Sequence, residues 1–251
     1  MPDRFPPYHW WRTVFFLIPA ISLYTIVLGT LSLGSSLFER RGYFAHGCAR
    51  MWARLILVTT GVRVDVQGLE QLTARTYVFV SNHQSHYDTA VLFAALPYQL
   101  RIIAKQSLGN FPFLGWHLRR TGHLLVNRER PDRAAIFGWA GRLTSQKLSL
   151  IVYPEGTRSV NGTVGRFKAG SFHIALEAGL PVVPISLVGT RRIMQKGRLA
   201  ARPGRVRLVV HEPIDTSALA GTDPRAFGER IWTIIAPVVE SDVDHGIHHR
   251  I

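Results

Sequence analysis

Short strand-like runs and longer helix-like runs alternate along the chain after Gly61, and this alternation restricts the fold more than any other feature. The strand-like runs are apolar and rich in β-branched residues, and they cover residues 62–66, 77–80, 100–104, 123–126, 148–153, 182–188 and 206–210. One helix-like run begins at Asp88, and the others cover residues 113–120, 132–146, 168–178 and 224–239. Such alternation is typical of a largely parallel sheet flanked by helices. We therefore predict an α/β domain over residues 61–241.

An uncharged stretch before this domain, residues 13–38, is long enough to span a bilayer. Pro19, Gly29 and Gly34 interrupt it, so the sequence is compatible with a helix that crosses the bilayer and with one that enters and returns. Two tryptophans precede the stretch, and tryptophan favours the headgroup layer of a membrane. A helix buried in the protein core is the alternative interpretation.

Arginines are distributed unequally around the uncharged stretch. Arg40, Arg41, Arg50 and Arg54 follow it, whereas Arg4 and Arg12 precede it. The flank that is richer in arginine usually stays on the cytoplasmic side of the membrane. We therefore expect the α/β domain to lie on the cytoplasmic side.

A second helix is predicted over residues 43–60, directly before the α/β domain. Phe44, Met51, Leu55 and Val58 fall on one face of this helix, and its arginines lie off that face. A basic amphipathic helix suits a membrane interface, but the same face could instead pack on the α/β domain.

Three regions follow from these patterns. Residues 1–60 are predicted to form an N-terminal apolar two-helix membrane motif, and residues 61–241 the α/β domain. Residues 242–251 carry three histidines, but a disordered tail is favoured there over a metal-binding tract because chain ends are commonly poorly ordered.

The net charge of +14 predicts an anionic partner. A phospholipid surface and a phosphorylated substrate both fit this charge. Nucleic acid is disfavoured, because the sequence has neither zinc-finger spacing nor an aromatic RNA-binding signature. Cys48 is the sole cysteine, so no internal disulfide can form.

The candidate catalytic residues are His83 and Asp88. They lie between the strand that ends near Ser81 and the helix that begins at Asp88, and open α/β sheets bind ligands at such strand ends. Histidine has a pKa suited to proton transfer near neutral pH, and a nearby carboxylate can fix its tautomer. Asp88 is also a candidate N-cap of its helix.

Two other interpretations of this segment need no catalysis by a dyad. In the first, Asp88 only caps the helix and His83 is an ordinary turn residue. In the second, His83, His86 and Asp88 bind a metal, but no further cluster at ligand spacing supports that.

A second polar turn follows the strand-like run at residues 148–152. There Gly156 allows the backbone to approach a ligand closely, and Arg158 offers a planar guanidinium that matches phosphate oxygens. Thr157 adds a hydrogen-bond donor, and Glu155 could orient Arg158 or a substrate hydroxyl. An ordinary turn with a surface ion pair is the alternative.

Two further cations, Lys105 and Arg128, also follow strand-like runs. The carboxyl ends of parallel strands meet at one edge of a sheet. We therefore expect Lys105, Arg128 and Arg158 to form a phosphate pocket beside His83.

These motifs resemble the conserved blocks of the glycerolipid acyltransferases. The matching segments are Asn82 to Asp88, Ala104 to Gly115 with Gly122 to Arg128, Tyr153 to Ser159, and Leu180 to Ile185. Their order and intervals also agree, and the resemblance extends over residues 61–188. The most similar branch is the bacterial 1-acyl-sn-glycerol-3-phosphate (lysophosphatidic acid) acyltransferases.

The resemblance implies a role for each candidate. His83 would be the general base and Asp88 its orienting partner. The glycerol phosphate would be held by Lys105, Arg128, Glu155, Gly156, Thr157 and Arg158. Two positions depart from the family pattern, since Ser107 stands where glutamate is frequent and Tyr153 where phenylalanine is usual.

The implied reaction moves an acyl group from a thioester of coenzyme A or acyl carrier protein to lysophosphatidic acid. It requires neither a metal nor a bound cofactor, and it would take place at the inner membrane of a bacterium, on the cytoplasmic side. Other lysolipids, such as lyso-ornithine lipid, are alternative acceptors. A non-catalytic module that binds an anionic membrane is the alternative from another functional class.

Overall fold

The computed structural model describes residues 7–39, 41–74, 76–112, 114–127, 138–139, 141–143, 145–219 and 221–248. The strands are β1 (Val62–Gln67), β2 (Val78–Ser81), β3 (Leu100–Lys105), β4 (Leu124–Val126), β5 (Ser149–Val152), β6 (Val182–Val188) and β7 (Gly204–Val210). The α-helices of the described residues include α1 (Pro7–Arg12), α2 (Ile18–Ser35), α3 (Tyr43–Thr60), α4 (Tyr87–Ala95), α5 (Leu114–Arg120), α6 (Gly170–Ala178), α7 (Thr190–Ile193) and α8 (Pro224–His248). The predicted helix at 132–146 lies largely outside the described residues.

Within the described chain the strands form one seven-stranded sheet in the order β1-β7-β6-β2-β5-β3-β4. Neighbouring strands are parallel throughout, except that β6 and β7 are antiparallel. The prediction of a largely parallel α/β sheet is therefore confirmed. One edge of the sheet carries the carboxyl ends of β2 to β6 together with the amino ends of β1 and β7. We call this end of the strands the active edge, as distinct from the outer strands β1 and β4.

The central strand β2 is buried on both faces, as parallel strands covered by helices generally are. Phe79 points into the core beneath α3 and α4, whereas Val78 and Val80 point into the core beneath α6 and α8. This alternation follows from the two-residue period of a strand. Polar side chains can consequently reach solvent only where β2 ends.

The uncharged stretch forms one long helix, with a π-helical turn at Thr13–Leu17 between α1 and α2. Pro19 lies just after this turn, at the start of α2. Proline cannot donate to the carbonyl four residues earlier and its ring clashes with that group, so a wider turn accommodates it. Within the described residues, Tyr8–Ser35 is the helical segment with the length and apolar composition to cross a membrane.

Helices α2 and α3 form an antiparallel hairpin, which confirms the two-helix motif. Trp52 Nε1 donates to Thr25 Oγ1 at 2.9 Å, and the hydroxyls of Tyr24 and Thr59 lie 3.0 Å apart. Arg12 donates to the carbonyl of Thr60 at 2.9 Å. These contacts join the beginning of the long helix to the end of α3, at the active edge.

Helix α3 has two apolar faces rather than one. Ala53, Ile56 and Leu57 are buried against the α/β domain. Phe44, Met51 and Val58 recur every seven residues along the opposite face and are exposed. The sequence left open whether α3 meets a membrane or packs on the domain, and the structure provides a separate face for each.

Arg101 fastens the hairpin to the sheet at the opposite edge. Its guanidinium donates to the carbonyls of Leu100 and Arg41, each at 2.9 Å. Burial lowers the pKa of Arg101 to about 10, so the side chain is still charged at neutral pH. A charged group buried here links β3 to the connection between α2 and α3.

The last helix, α8, is longer than the sequence predicted. It runs to His248, so the backbone of residues 242–248 is helical where a disordered tail was expected. The helix passes through Pro237 without ending there, because tertiary packing on β6 stabilises its middle. Residues 249–251 lie outside the described chain.

Candidate active site

His83 lies in the turn between β2 and α4, which we call the dyad turn, and Asp88 lies in the first turn of α4, both at the active edge. His83 Nδ1 lies 2.7 Å from Asp88 Oδ2, and Asp88 is completely buried while the His83 side chain is 17% exposed. Oδ2 also accepts the backbone N–H groups of Gln84 at 2.7 Å and Ser85 at 2.9 Å. Three donors therefore fix the carboxylate, and the imidazole is held through it.

Asp88 does not cap α4, contrary to the prediction. The N-cap is His86, and Asp88 is the second residue of the helix. Its carboxylate turns back to the N–H groups of Gln84 and Ser85, which belong to the preceding turn. Asp88 thereby organises the turn that presents His83 instead of the first turn of the helix.

The hydrogen bond to Asp88 determines which nitrogen of His83 can react. Nδ1 donates to the carboxylate, so the neutral ring carries its lone pair on Nε2. Nε2 can then accept a proton from a substrate hydroxyl, and the resulting imidazolium is stabilised by Asp88. The arrangement is that of a general base with an orienting carboxylate.

Tyr153 forms one wall of the site. Its ring stacks on the His83 imidazole with 4.2 Å between ring centroids and 18° between planes. The hydroxyl of Tyr153 lies 3.1 Å from Thr89 Oγ1 on α4. Burial raises the pKa of Tyr153, so the phenol stays protonated at neutral pH. Tyrosine here adds a hydrogen bond to α4 that phenylalanine could not make.

Glu155 binds the backbone of the dyad turn. Oε1 accepts the N–H of His83 at 2.7 Å, and Oε2 accepts the N–H of Gly165 at 2.9 Å. The side chain is buried, and burial raises its pKa although both N–H groups act in the opposite direction. The sequence suggested Glu155 as a partner of Arg158 or a substrate. Its contacts in the structure are instead to His83 and Gly165.

The remaining residues of the second motif lie beside the dyad. Gly156 has a φ of +70°, which favours glycine, and a side chain there would press on Lys168. Lys196 Nζ donates to Thr157 Oγ1 at 3.0 Å and to the carbonyl of Arg158 at 2.9 Å. This lysine therefore fixes the backbone that carries Arg158.

Arg158 lies beside the dyad turn, because the N–H of the next residue, Ser159, donates to the carbonyl of His83 at 2.8 Å. Burial lowers the pKa of His86, and the positive charge of Arg158 acts in the same direction. His86 is therefore neutral at physiological pH. Arg158 is partly buried and is well placed to meet an anionic group beside His83.

Lys105 lies farther from His83 than the second motif does. Lys105 ends β3 at the active edge and is exposed, but β5 separates β3 from β2. Arg128 lies outside the described residues, so its predicted role in the phosphate pocket stays a prediction.

Two apolar cavities lie between the hairpin and α4, on either side of Trp52. The first, of about 150 Å³, is lined among others by Thr25, Cys48, Trp52, Thr89, Phe93 and His117. The second, of about 240 Å³, is lined among others by Leu17, Trp52, Ile56, His86, Met194 and Leu199. Thr89 and His86 flank the dyad turn, so both cavities approach the site.

The chain belongs to the Acyltransferase family, whose model matches residues 63–188. A 1-acyl-sn-glycerol-3-phosphate acyltransferase from chloroplasts of Brassica napus is 37% identical over 71% of this chain and 53% of the relative. Its chloroplast counterpart in Arabidopsis thaliana is 33% identical over 82% of this chain and 60% of the relative. The chain thus spans little more than half the length of these curated relatives.

A solved structure agrees more completely in length. The crystal structure of the 1-acyl-sn-glycerophosphate acyltransferase PlsC from Thermotoga maritima has a TM-score of 0.71 and 26% identity to this chain. The similarity covers 88% of this chain and 94% of that one, so it includes much of the hairpin as well as the α/β domain.

Sequence reasoning missed several residues that shape the site. Lys168 and Lys196 lie beside the second motif, and Gln84 Nε2 donates to the carbonyl of Gly162 at 2.7 Å. Glu240 of α8 accepts the N–H of Val164 at 3.0 Å. Lys168, Lys196 and Glu240 belong to none of the motifs, and Gln84 meets a partner 78 residues away, so only folding brings these groups together.

The contacts of Glu155 generate a prediction. Glu155→Gln leaves one carbonyl oxygen for two N–H donors and places an amide N–H₂ against the other donor. We expect the free energy of unfolding to fall by about 1–3 kcal/mol, the cost of one unsatisfied buried donor. Glu212→Gln removes the same charge at an exposed site and should leave stability unchanged. Equal denaturation midpoints for the two variants would contradict the assignment.

Proposed function

We propose that this enzyme transfers a fatty acyl group from an acyl thioester to the free hydroxyl of lysophosphatidic acid, giving phosphatidic acid. The observation that supports this most directly is the His83–Asp88 pair, which presents Nε2 at the active edge, while the residue after Arg158 hydrogen-bonds to the carbonyl of His83. Arg158 supplies a charge for the acceptor's phosphate, and His83 supplies a base for its hydroxyl. The names of the relatives support the same acceptor.

The reaction needs one base and no covalent enzyme intermediate. His83 Nε2 takes the proton of the acceptor hydroxyl as its oxygen attacks the thioester carbonyl. Asp88 stabilises the imidazolium that forms. When the tetrahedral intermediate collapses, the C–S bond breaks and the imidazolium returns the proton to the leaving thiolate. A thioester is already activated, so neither a metal nor a bound cofactor takes part in this proposal.

The two apolar cavities fit the apolar parts of the substrates. The donor carries one acyl chain and the lysolipid carries another, while one cavity lies on each side of Trp52. Both cavities are bounded by the hairpin, whose outer faces are apolar. The chains would therefore pass between the membrane and the dyad without crossing bulk water.

A first prediction tests catalysis against simple membrane binding. His83→Ala should lower kcat for acyl transfer to lysophosphatidic acid by about 10²-fold or more, the scale of losing a general base. His173→Ala, at a partly exposed position on α6, should leave kcat unchanged. Lipid vesicle binding should be equal for both variants and the unaltered protein.

The same assay should include other lysolipid acceptors, among them lyso-ornithine lipid. Folded protein that transfers no acyl group to any acceptor, from either coenzyme A or carrier-protein thioesters, would favour the alternative of a non-catalytic membrane-binding module. A preference for a lysolipid without phosphate would overturn the proposed acceptor while preserving the chemistry.

A second prediction concerns Arg158. Its proposed partner, the phosphate, does not react, so removing the contact weakens binding without affecting proton transfer. Arg158→Ala should raise KM for lysophosphatidic acid far more than it lowers kcat, and should leave KM for the acyl donor nearly unchanged. Arg158→Lys should restore only part of the affinity, since an ammonium cannot form two parallel bonds to phosphate. A variant that melts normally but loses only kcat would refute this role.

We further propose that the hairpin fixes the enzyme to the cytoplasmic face of a bacterial inner membrane. The exposed apolar faces of α2 and α3 and the arginines that follow α2 support this placement. An anionic lipid surface fits the net charge of +14.

A third prediction tests this anchor. Leu23 and Leu31 are exposed on α2, and a charge within a bilayer costs about 2.5–3.5 kcal/mol per residue. Leu23→Glu with Leu31→Glu should therefore shift the protein from membrane vesicles to the soluble fraction. Ala226→Glu with Thr233→Glu adds the same charge to exposed positions of α8 and should leave the protein on the vesicles. Equal sedimentation of both double variants with vesicles would contradict the anchor.

Protease digestion of the α/β domain only in inverted vesicles would support the cytoplasmic side.

A further inference from the structure

A groove lined by arginines lies on the surface of β1 and β7, away from the dyad turn. It has a volume of about 470 Å³, and its arginines are Arg63 on β1, Arg205 and Arg207 on β7, and Arg192 on α7. Asp65 is the acidic residue in its lining. The groove therefore carries a large excess of positive charge over a concave surface.

The strand register places like charges directly opposite each other. Arg63 pairs with Arg205 across β1 and β7, and Asp65 pairs with Arg207. Two like charges in that relation destabilise a sheet. The side chains of Arg63, Arg205 and Arg207 form no hydrogen bond or ion pair with another described residue, and the Asp65 side chain accepts a hydrogen bond from Gln67. An anion between the arginines would relieve the repulsion and satisfy their donors.

The groove lies at the same edge of the sheet as the dyad. Val188 and Gly189, at the end of β6, line it. Leu187 exchanges two hydrogen bonds with the side chain of Asn82, the residue before His83. The strands from β2 follow in the order β6, β7 and β1. With strands about 4.8 Å apart, the arginines of β7 and β1 lie about 10–15 Å from the strand that carries His83.

This separation distinguishes the two substrates. In lysophosphatidic acid the phosphate lies within a few bonds of the reacting hydroxyl, so its cation must lie near His83, and Arg158 precedes the residue whose N–H donates to the carbonyl of His83. In acyl coenzyme A a long pantetheine arm separates the thioester from a diphosphate and a 3′-phosphate. Several phosphates at the far end of a long arm match several guanidinium groups two to three strands from the base.

We propose that this groove binds the diphosphate and 3′-phosphate of coenzyme A, and that acyl coenzyme A is thus a donor for this enzyme. The inference rests on the proposed function and names the donor for the same site. A concave groove of this volume suits a small polyanion, whereas the carrier-protein donor presents its pantetheine from a large protein surface. Charges that only protect the edge strand β1 from pairing, and a headgroup site for anionic lipid, are the alternatives that the experiment separates.

The binding experiment measures affinity for adenosine 3′,5′-bisphosphate, which carries the 3′-phosphate and one of the 5′-phosphates of coenzyme A. Isothermal titration calorimetry is carried out on the full chain in detergent. The test variant is Arg63→Ala with Arg205→Ala, and its control is Arg225→Ala with Arg230→Ala, which removes the same charge from exposed positions of α8. The test variant should bind at least about tenfold more weakly, and the control should bind normally.

The kinetic experiment compares acyl coenzyme A with the same acyl group on pantetheine, which lacks the phosphates. The test variant should raise KM for acyl coenzyme A about tenfold or more and leave kcat and the kinetics with acyl pantetheine unchanged. Its melting temperature should not fall, since the substitution removes a pair of opposed like charges.

Each other outcome overturns the proposal in a recognisable way. Unchanged binding and unchanged KM would mean that the arginines only protect the strand edge. An equal loss with both donors, accompanied by weaker binding to anionic vesicles, would assign the groove to lipid headgroups. Activity with carrier-protein thioesters but none with acyl coenzyme A would exclude the donor. If no thioester supports acyl transfer but the bisphosphate still binds at the arginines, the proposed function is rejected and the anion-binding site stands.

Discussion

The buried carboxylate of Asp88 is the constraint on which the site depends. A carboxylate out of contact with water is stable only when donors surround it, and here one oxygen receives His83 Nδ1 and two backbone N–H groups. Those N–H groups belong to the residues directly after His83, so one ion both shapes the turn and orients the imidazole. Asp88 therefore serves both the local fold of the turn and the proposed proton transfer by His83.

Glu155 extends the same principle to a second segment. Its carboxylate binds the N–H of His83 and the N–H of Gly165, and the N–H of Ser159 returns a hydrogen bond to the carbonyl of His83. The second motif therefore holds the turn that carries His83 and places the backbone of Arg158 beside that turn. Strands β2 and β5 are neighbours in the sheet, which makes this cooperation between residues distant in sequence possible.

The hairpin places this polar site against an apolar environment. Helix α3 uses one face to pack on the domain and the other to continue the exposed apolar surface of α2. The cavities beside Trp52 lie where the hairpin meets α4. This construction suits the proposed acyl transfer, because acyl chains would reach the dyad along apolar surface while the phosphates would stay on the polar edge of the sheet.

The sequence by itself determined the class of fold, the two-helix motif and the pairing of His83 with Asp88. Periodicity is a local property, and His83 and Asp88 are close enough in sequence for one turn to join them. Tertiary structure decided the rest. The pairing of Glu155 with His83 depends on which strands are neighbours, and the fastening of Thr157 by Lys196 depends on a loop almost forty residues away. The groove exists only because β7 reverses direction and places Arg205 opposite Arg63, a register that no local pattern encodes.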